Sequence, residues 1–203
     1  MPEMSALAKA FCTSGPYRTF ARMVVLPWAL QGLSPSGEAL EIGSGSGAMA
    51  AELLRRFPEL RMVATDYDPD MVATARRSLA AFGGRATAQR ADATALPFDD
   101  GRFDLVLSFA MLHHVGDWER AVAEAVRVLR PGGRLVGYDL VHRAPGNHRH
   151  GEEHAGVRMM SPGQLEGALG RLPVTGVRTR RSLAIALRFF AIKSQAGGGS
   201  AQP

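Results

Sequence analysis

An α/β fold, with a mostly parallel sheet covered by helices on both faces, is what this sequence predicts. Two observations carry it. From residue 39 onward, short apolar runs rich in β-formers alternate with amphipathic helical stretches, and a glycine-rich turn joins the first such strand to the first such helix. That first strand is Ala39-Leu40-Glu41-Ile42, and the helix after the turn runs from about Ala48 to Phe57. A strand from Arg61 to Asp66 follows. Asp68 then caps a helix with Pro69 in its first turn, which runs to about Phe82 until Gly83-Gly84 stops it.

A third strand lies near Arg85 to Arg90, and a fourth, Phe103 to Ser108, follows the turn Asp99-Asp100-Gly101. Asp117 caps the next helix, whose Val122, Ala125, Val126 and Leu129 recur at helical spacing until Pro131-Gly132-Gly133. The fifth strand is Arg134 to Val141. After a polar loop comes a helix opened by Ser161, Pro162 and Gln164 in a capping-box pattern, then two closing strands, about Val174 to Arg181 and Leu183 to Lys193. Seven strands result, the last part of the sheet being expected to contain an antiparallel strand.

The chain has 203 residues, 46% hydrophobic and 21% charged, which suits one sizeable core and excludes fibres, disulfide scaffolds and disordered chains. One cysteine, Cys12, cannot form an internal disulfide, and the expected compartment is the reducing cytoplasm. The longest early apolar stretch, Met23 to Leu30, is interrupted by Pro27, so neither a secretory signal nor a membrane span is expected. Residues 1–140 are nearly neutral, with 15 Lys+Arg against 16 Asp+Glu, whereas residues 141–203 carry 9 against 3. The basic C-terminal part, which includes Arg178, Arg180, Arg181 and Arg188, leaves contact with nucleic acid as an alternative. Alternate residues of a strand face opposite ways, however, so these arginines need not form one patch.

Chemistry concentrates in Glu41-Ile42-Gly43-Ser44-Gly45-Ser46-Gly47. Glycines here let the backbone turn tightly and bring a ligand against the amides of a helix N-terminus. Gly43-x-Gly45-x-x-Ala48, followed by Asp66 23 residues after Gly43, also meets the permissive dinucleotide fingerprint. The spacing by itself says that a ribose-containing ligand binds at the C-terminal edge of the sheet. Glu41, just before the glycines, would repel a pyrophosphate and welcome a cation.

Further motifs sharpen the reading: Thr65-Asp66-Tyr67-Asp68-Pro69-Asp70-Met71, Ala91-Asp92-Ala93 with Leu96-Pro97-Phe98-Asp99, Phe103-Asp104-Leu105-Val106, Leu112-His113-His114-Val115, and Val128-Leu129-Arg130-Pro131-Gly132-Gly133. With the glycine turn, they make the chain resemble the class I S-adenosylmethionine-dependent methyltransferases, closely over residues 38–141, in the branch containing the ubiquinone and menaquinone biosynthesis enzymes. The resemblance implies a single Rossmann-like domain over residues 1–193. Residues 1–33 would be a helical lid, 38–141 the cofactor-binding core and 142–193 the acceptor side, followed by a disordered tail, 194–203.

The resemblance also implies the ligand set for S-adenosyl-L-methionine. Gly43, Gly45 and Gly47 would pass beneath its methionine and ribose, Glu41 would lie near its amino group, and Asp66 would take both ribose hydroxyls. Tyr67 and Met71 would flank the adenine, Asp92 would accept from its amino group, and the Ala93 amide would meet a ring nitrogen. Ser44, Ser108 and His113 complete the cofactor-lining set. Asp104, at the start of its strand, is assigned to structure, as are Trp118 and the methionines outside the site.

Methyl transfer is an in-line displacement that relies on positioning, with a general base needed for a hydroxyl acceptor. His114, His142 and Asp139 are the candidates, because all follow or end strands at the ligand edge. The loop from His142 to His154 holds four histidines and two glutamates, yet lacks a frame that would fix them as ligands, so no metal site is assigned. The expected acceptor is a small molecule methylated at oxygen or carbon, by a monomer or homodimer. Ser108-Phe109-Ala110-Met111 departs from the pattern that cradles a base amino group. An RNA methyltransferase, a nicotinamide oxidoreductase without its Tyr-x-x-x-Lys, and a non-catalytic cofactor-binding protein are the alternatives.

Overall fold

Strands buried on both faces read as continuous apolar runs, and the last four residues of β1 (Gly37–Ile42) are all buried. The computed structural model describes residues 15, 19, 21–141, 159–182 and 186–195. Its other strands are β2 (Leu60–Asp66), β3 (Ala86–Arg90), β4 (Phe103–Phe109), β5 (Leu129–Leu140), β6 (Val174–Ser182) and β7 (Ala186–Lys193). They form one sheet in the order β3-β2-β1-β4-β5-β7-β6. Every pairing is parallel except those of β7, which runs antiparallel to both β5 and β6. The order reverses between β1 and β4, which makes the crevice above their C-terminal ends the expected place for a ligand.

The helices begin where their sequences say. Helix α1 (Leu26–Leu30) lies in the N-terminal segment, and α2 (Ala48–Arg56) follows the glycine turn. Helix α3 (Pro69–Leu79) is capped by Asp68, whose carboxylate accepts from the Asp70 amide at 2.8 Å. Helix α4 (Trp118–Val128) is capped by Asp117, and α5 (Pro162–Gly170) carries both bonds of a Ser161–Gln164 capping box. Helices α4 and α5 cover one face of the sheet through Val122, Ala125, Leu165 and Phe189. Helices α1 and α2 cover the other through Leu26, Leu53, Leu54 and Tyr138.

Three boundaries depart from the sequence expectation. Helix α4 ends at Val128 and β5 already begins at Leu129, which pairs with Phe103 ahead of the Pro131-Gly132-Gly133 bend. Lys193 fixes that junction by donating to the Arg127 and Leu129 carbonyls at 2.7 and 2.6 Å. Residues 194 and 195, placed in the tail, lie against the body instead, the Ser194 amide donating to the Pro173 carbonyl at 2.8 Å. Met23 is exposed, whereas Trp118 is core as expected. Asp104 proves structural: it accepts from the Glu38 amide at 2.7 Å and pairs with Arg130.

Candidate active site

Above the crevice between β1 and β4, the glycine turn is held by bonds that the strands supply. The Ser44 amide donates to the Thr65 carbonyl at 2.8 Å and the Gly45 amide to Asp66 Oδ2 at 2.8 Å. Gly43 has a φ of 66° and passes so near Met111 that a Cβ there would stand 2.6 Å from the Met111 Cβ. Gly45, with a φ of 53°, has nothing within 4 Å on the side where a Cβ would project. The turn is thus packed from below at Gly43 and open at Gly45.

Two carboxylates border this opening. Asp66 accepts the Gly45 amide on one oxygen and the Asp68 amide, at 3.0 Å, on the other. Burial raises its pKa despite those amide bonds. Glu41 is only 2% exposed. Burial, opposed by the Ala50 amide and reinforced by the charge of Asp66, pushes its carboxyl up to about 8. Its Oε2 is buried without a hydrogen-bond partner, as are the hydroxyls of Ser44 and Ser108. Orphaned buried acceptors and hydroxyls grouped at one sheet edge mark a place built for a polar ligand.

The other predicted cofactor residues fall nearby along the chain's turns. Tyr67 follows Asp66, with the Arg90 guanidinium 5.0 Å above its ring, and Met71 is buried in the first turn of α3. Asp92 Oδ1 accepts from both the amide and the hydroxyl of Thr94, each at 2.8 Å. Burial acts to raise the Asp92 pKa, but these two bonds bring it below the ordinary value. Asp92 therefore builds a turn with one oxygen, and Ala93 beside it is buried.

Beyond β4 the structure pairs two residues the sequence treated separately. Asp139, fully buried at the end of β5, lies with Oδ1 2.5 Å from His113 Nδ1 and accepts from the Leu112 amide on Oδ2 at 2.6 Å. A carboxylate accepts, so Nδ1 of His113 carries a proton, and in the neutral imidazole the lone pair is on Nε2. His114 has no such partner: it lies with its ring 4.0 Å from that of His113, and burial, then the neighbouring His113, lowers its pKa. Asp139 thus organises His113 and not His114. His142 and the 142–154 loop lie outside the described residues, as do most of the 1–33 segment and residues 196–203. Among the described residues no group of three potential metal ligands occurs.

Sequence reasoning missed Met111, which underlies Gly43, and the aromatic contacts of Trp28 with Tyr138 and of Tyr138 with Phe109, 5.6 and 5.8 Å between centroids. No local signal marks them, since Trp28 and Tyr138 stand 110 positions apart in sequence.

Residues 40–137 match the family model described as a methyltransferase domain. That stretch holds the glycine turn, the C-terminal part of β1 and all of β2 and β4. A demethylmenaquinone methyltransferase of Thermus thermophilus is 43% identical over 97 residues, covering 48% of this chain and 44% of that protein. Ubiquinone/menaquinone biosynthesis C-methyltransferases of Geobacter sulfurreducens and Desulfotalea psychrophila are 36% and 34% identical over 106 and 127 residues. The chain spans about half the length of the curated relatives it matches. Among solved structures, the [4+2]-cyclase SpnF superposes with a TM-score of 0.72 at 18% identity, covering 84% of this chain and 81% of that one. A SAM-dependent methyltransferase from Aquifex aeolicus gives 0.71 at 16% identity, covering 95% and 100%. These likenesses show the fold. That a cyclase shares it means that the chemistry must be argued from the site.

The residues of the stretch that matches the methyltransferase model fit the cofactor S-adenosyl-L-methionine. Its amino group and sulfonium are cations, and the orphaned Glu41 oxygen is an anion in waiting beside the open Gly45. Its ribose diol matches Asp66, whose oxygens each have acceptor capacity beyond one amide bond.

Proposed function

We propose that this chain transfers a methyl group from S-adenosyl-L-methionine to the oxygen or carbon of a small-molecule acceptor. The observation that carries this reading is the unpartnered, buried Oε2 of Glu41 beside the open glycine turn. Glu41 would hold the amino end, Asp66 the ribose, and Tyr67 and Met71 the adenine, with Asp92, Ala93, Ser44, Gly47 and Ser108 lining the remainder. The cofactor, when bound, supplies the electrophilic methyl group.

The chain's own residues supply orientation and a base. Asp139 fixes the His113 tautomer and leaves Nε2 free to accept the proton of an acceptor hydroxyl, the same division of labour as in an Asp–His pair of a hydrolase. His113 is therefore the base this geometry favours over His114, with Asp139 as its positioning residue. The domain is read as one unit over residues 1–193, with the N-terminal segment and the 142–193 portion enclosing the acceptor, acting in the cytoplasm as a monomer or homodimer. No helix among the described residues is long and apolar enough to cross a membrane.

The test is thermal unfolding with S-adenosylhomocysteine and with NAD, followed by methyl incorporation across phenols, quinol precursors and RNA. Stabilisation by S-adenosylhomocysteine alone, with a phenolic or quinol product, is expected. Selective stabilisation by NAD would overturn the reading.

A further inference from the structure

Four residues from four strands stand in one rung at the C-terminal end of the parallel strands. Phe109 of β4 lies opposite Tyr138 of β5, Tyr138 opposite Arg188 of β7, and Arg188 opposite Arg180 of β6. Directly opposed residues share a face of the sheet, and three strand spacings extend the rung over about 14 Å. Trp28 covers its middle: its ring lies 5.6 Å from that of Tyr138 and 5.3 Å from the Arg188 guanidinium. One end of the rung is aromatic and the other doubly cationic.

The cationic end is incomplete as it stands. Arg188 Nη1 donates to the Trp28 carbonyl at 2.7 Å, but its Nε is buried and has no hydrogen-bond partner. Like charges directly opposed across strands repel. Burial, followed by the charge of Arg180, lowers the Arg188 pKa. Among the described residues no carboxylate forms an ion pair with either arginine; the ion pairs of this chain lie elsewhere, around Glu52, Glu38, Asp100, Glu124 and Asp104. A guanidinium is built to donate to an oxyanion, and two arginines directly opposed across strands define a place for one.

We propose that this rung binds the anionic group of the methyl acceptor, which is then a small molecule bearing a carboxylate or a phosphate. The inference rests on the methyl-transfer reading for the word acceptor and on Arg180 and Arg188 alone for the anion. Asp139, which orients His113, is the next residue after Tyr138 and projects from the opposite face of the sheet, so the rung and the proposed base share the C-terminal edge of β5 but not a face. Orphaned Nε of Arg188 and its tether to Trp28 make a single fixed point. A nucleic-acid backbone is tracked by a run of exposed cations, and Arg178, Arg180 and Arg181 are exposed on β6, so an oligonucleotide is the competing occupant that the experiment separates.

Calorimetric titration of the full chain with benzoate, phenyl phosphate and phenol, each with and without S-adenosylhomocysteine, tests the proposal. Benzoate or phenyl phosphate is expected to bind at least about tenfold more tightly than phenol, a margin of one charge-assisted contact, and the tighter of the two identifies the anion. Arg180→Gln and Arg188→Gln are each expected to abolish that preference and leave S-adenosylhomocysteine affinity unchanged. Arg180 is exposed, so its variant decides the matter even if loss of Arg188 unfolds the chain. Equal binding of the three probes, or a preference that survives Arg180→Gln, overturns the proposal. So does binding of a single-stranded oligonucleotide that Arg180→Gln abolishes without any preference among the small probes. An anion preference lost in Arg180→Gln, in a chain that fails to bind S-adenosylhomocysteine, supports the rung as an anion site and counts against methyl transfer.

Discussion

A carboxyl with a pKa of about 8 is an unusual object in a protein, and Glu41 owes it chiefly to burial and then to the charge of Asp66. The folded state holds this proton more tightly than the unfolded chain, so the group's stabilising contribution is full below the unfolded value of 4.5. It is lost as pH rises through about 8. In the ligand-free protein, denaturant unfolding at pH 6 and pH 8 should show wild type losing stability, at a slope approaching about 1 kcal/mol per pH unit. Glu41→Gln should be nearly flat. A cationic ligand favours the ionised form, so affinity for S-adenosylhomocysteine should rise over the same interval and do so only with Glu41 present. Asp66→Ala should weaken that affinity by about 1 to 3 kcal/mol through lost hydrogen bonds, read by calorimetry. His113→Ala should lower turnover of a hydroxyl acceptor by about 10²-fold or more, and His114→Ala by far less. Equal losses in the two variants would contradict the Asp139–His113 assignment.

Elements in this chain start and stop for separable reasons. Caps are local: Ser161 and Gln164 bond each other's backbone amides at 3.2 and 2.8 Å, and Ser161→Ala should cost about 1 kcal/mol, measured as a shift of the urea midpoint. Stops are less local. The α4–β5 junction depends on Lys193, which reaches from the far end of β7 to take two carbonyls. Strand spacing has its own demand at Gly137, where a Cβ would fall on the Ser108 carbonyl and 2.5 Å from a Phe189 ring carbon. Gly137→Ala should destabilise by about 1 to 3 kcal/mol, the cost of overpacking a close contact, whereas Gly163→Ala, open to space, should not. Comparison of their melting temperatures checks this.

At the scale of the molecule, ligand binding and folding are one equilibrium. S-adenosylhomocysteine at about 100 times its Kd should stabilise the fold by about 2.7 kcal/mol, because the crevice proposed to receive it joins β1, β2 and β4. A loop-only site would show the same binding without protection of β1 and β2 amides from hydrogen exchange.

What the sequence by itself determined is the part written in short-range chemistry. The glycine turn, the Asp68, Asp117 and Ser161 caps, and the order of strands and helices all follow from residues within a few positions of one another, where backbone sterics and capping bonds act. The acids at 41 and 66 were legible for the same reason, as each ends a strand beside a turn. Tertiary structure alone decided the pairings. Asp139 and His113 stand 26 positions apart, and only the parallel register of β4 and β5 makes them a pair. The arginines show the point most plainly. Between Thr175 and Arg178 the β6–β7 register slips by one residue, and without that bulge Thr179 rather than Arg180 would face Arg188. Which face a side chain takes in a sheet depends on the parity of a pairing, and parity is set by a partner strand that no local pattern contains.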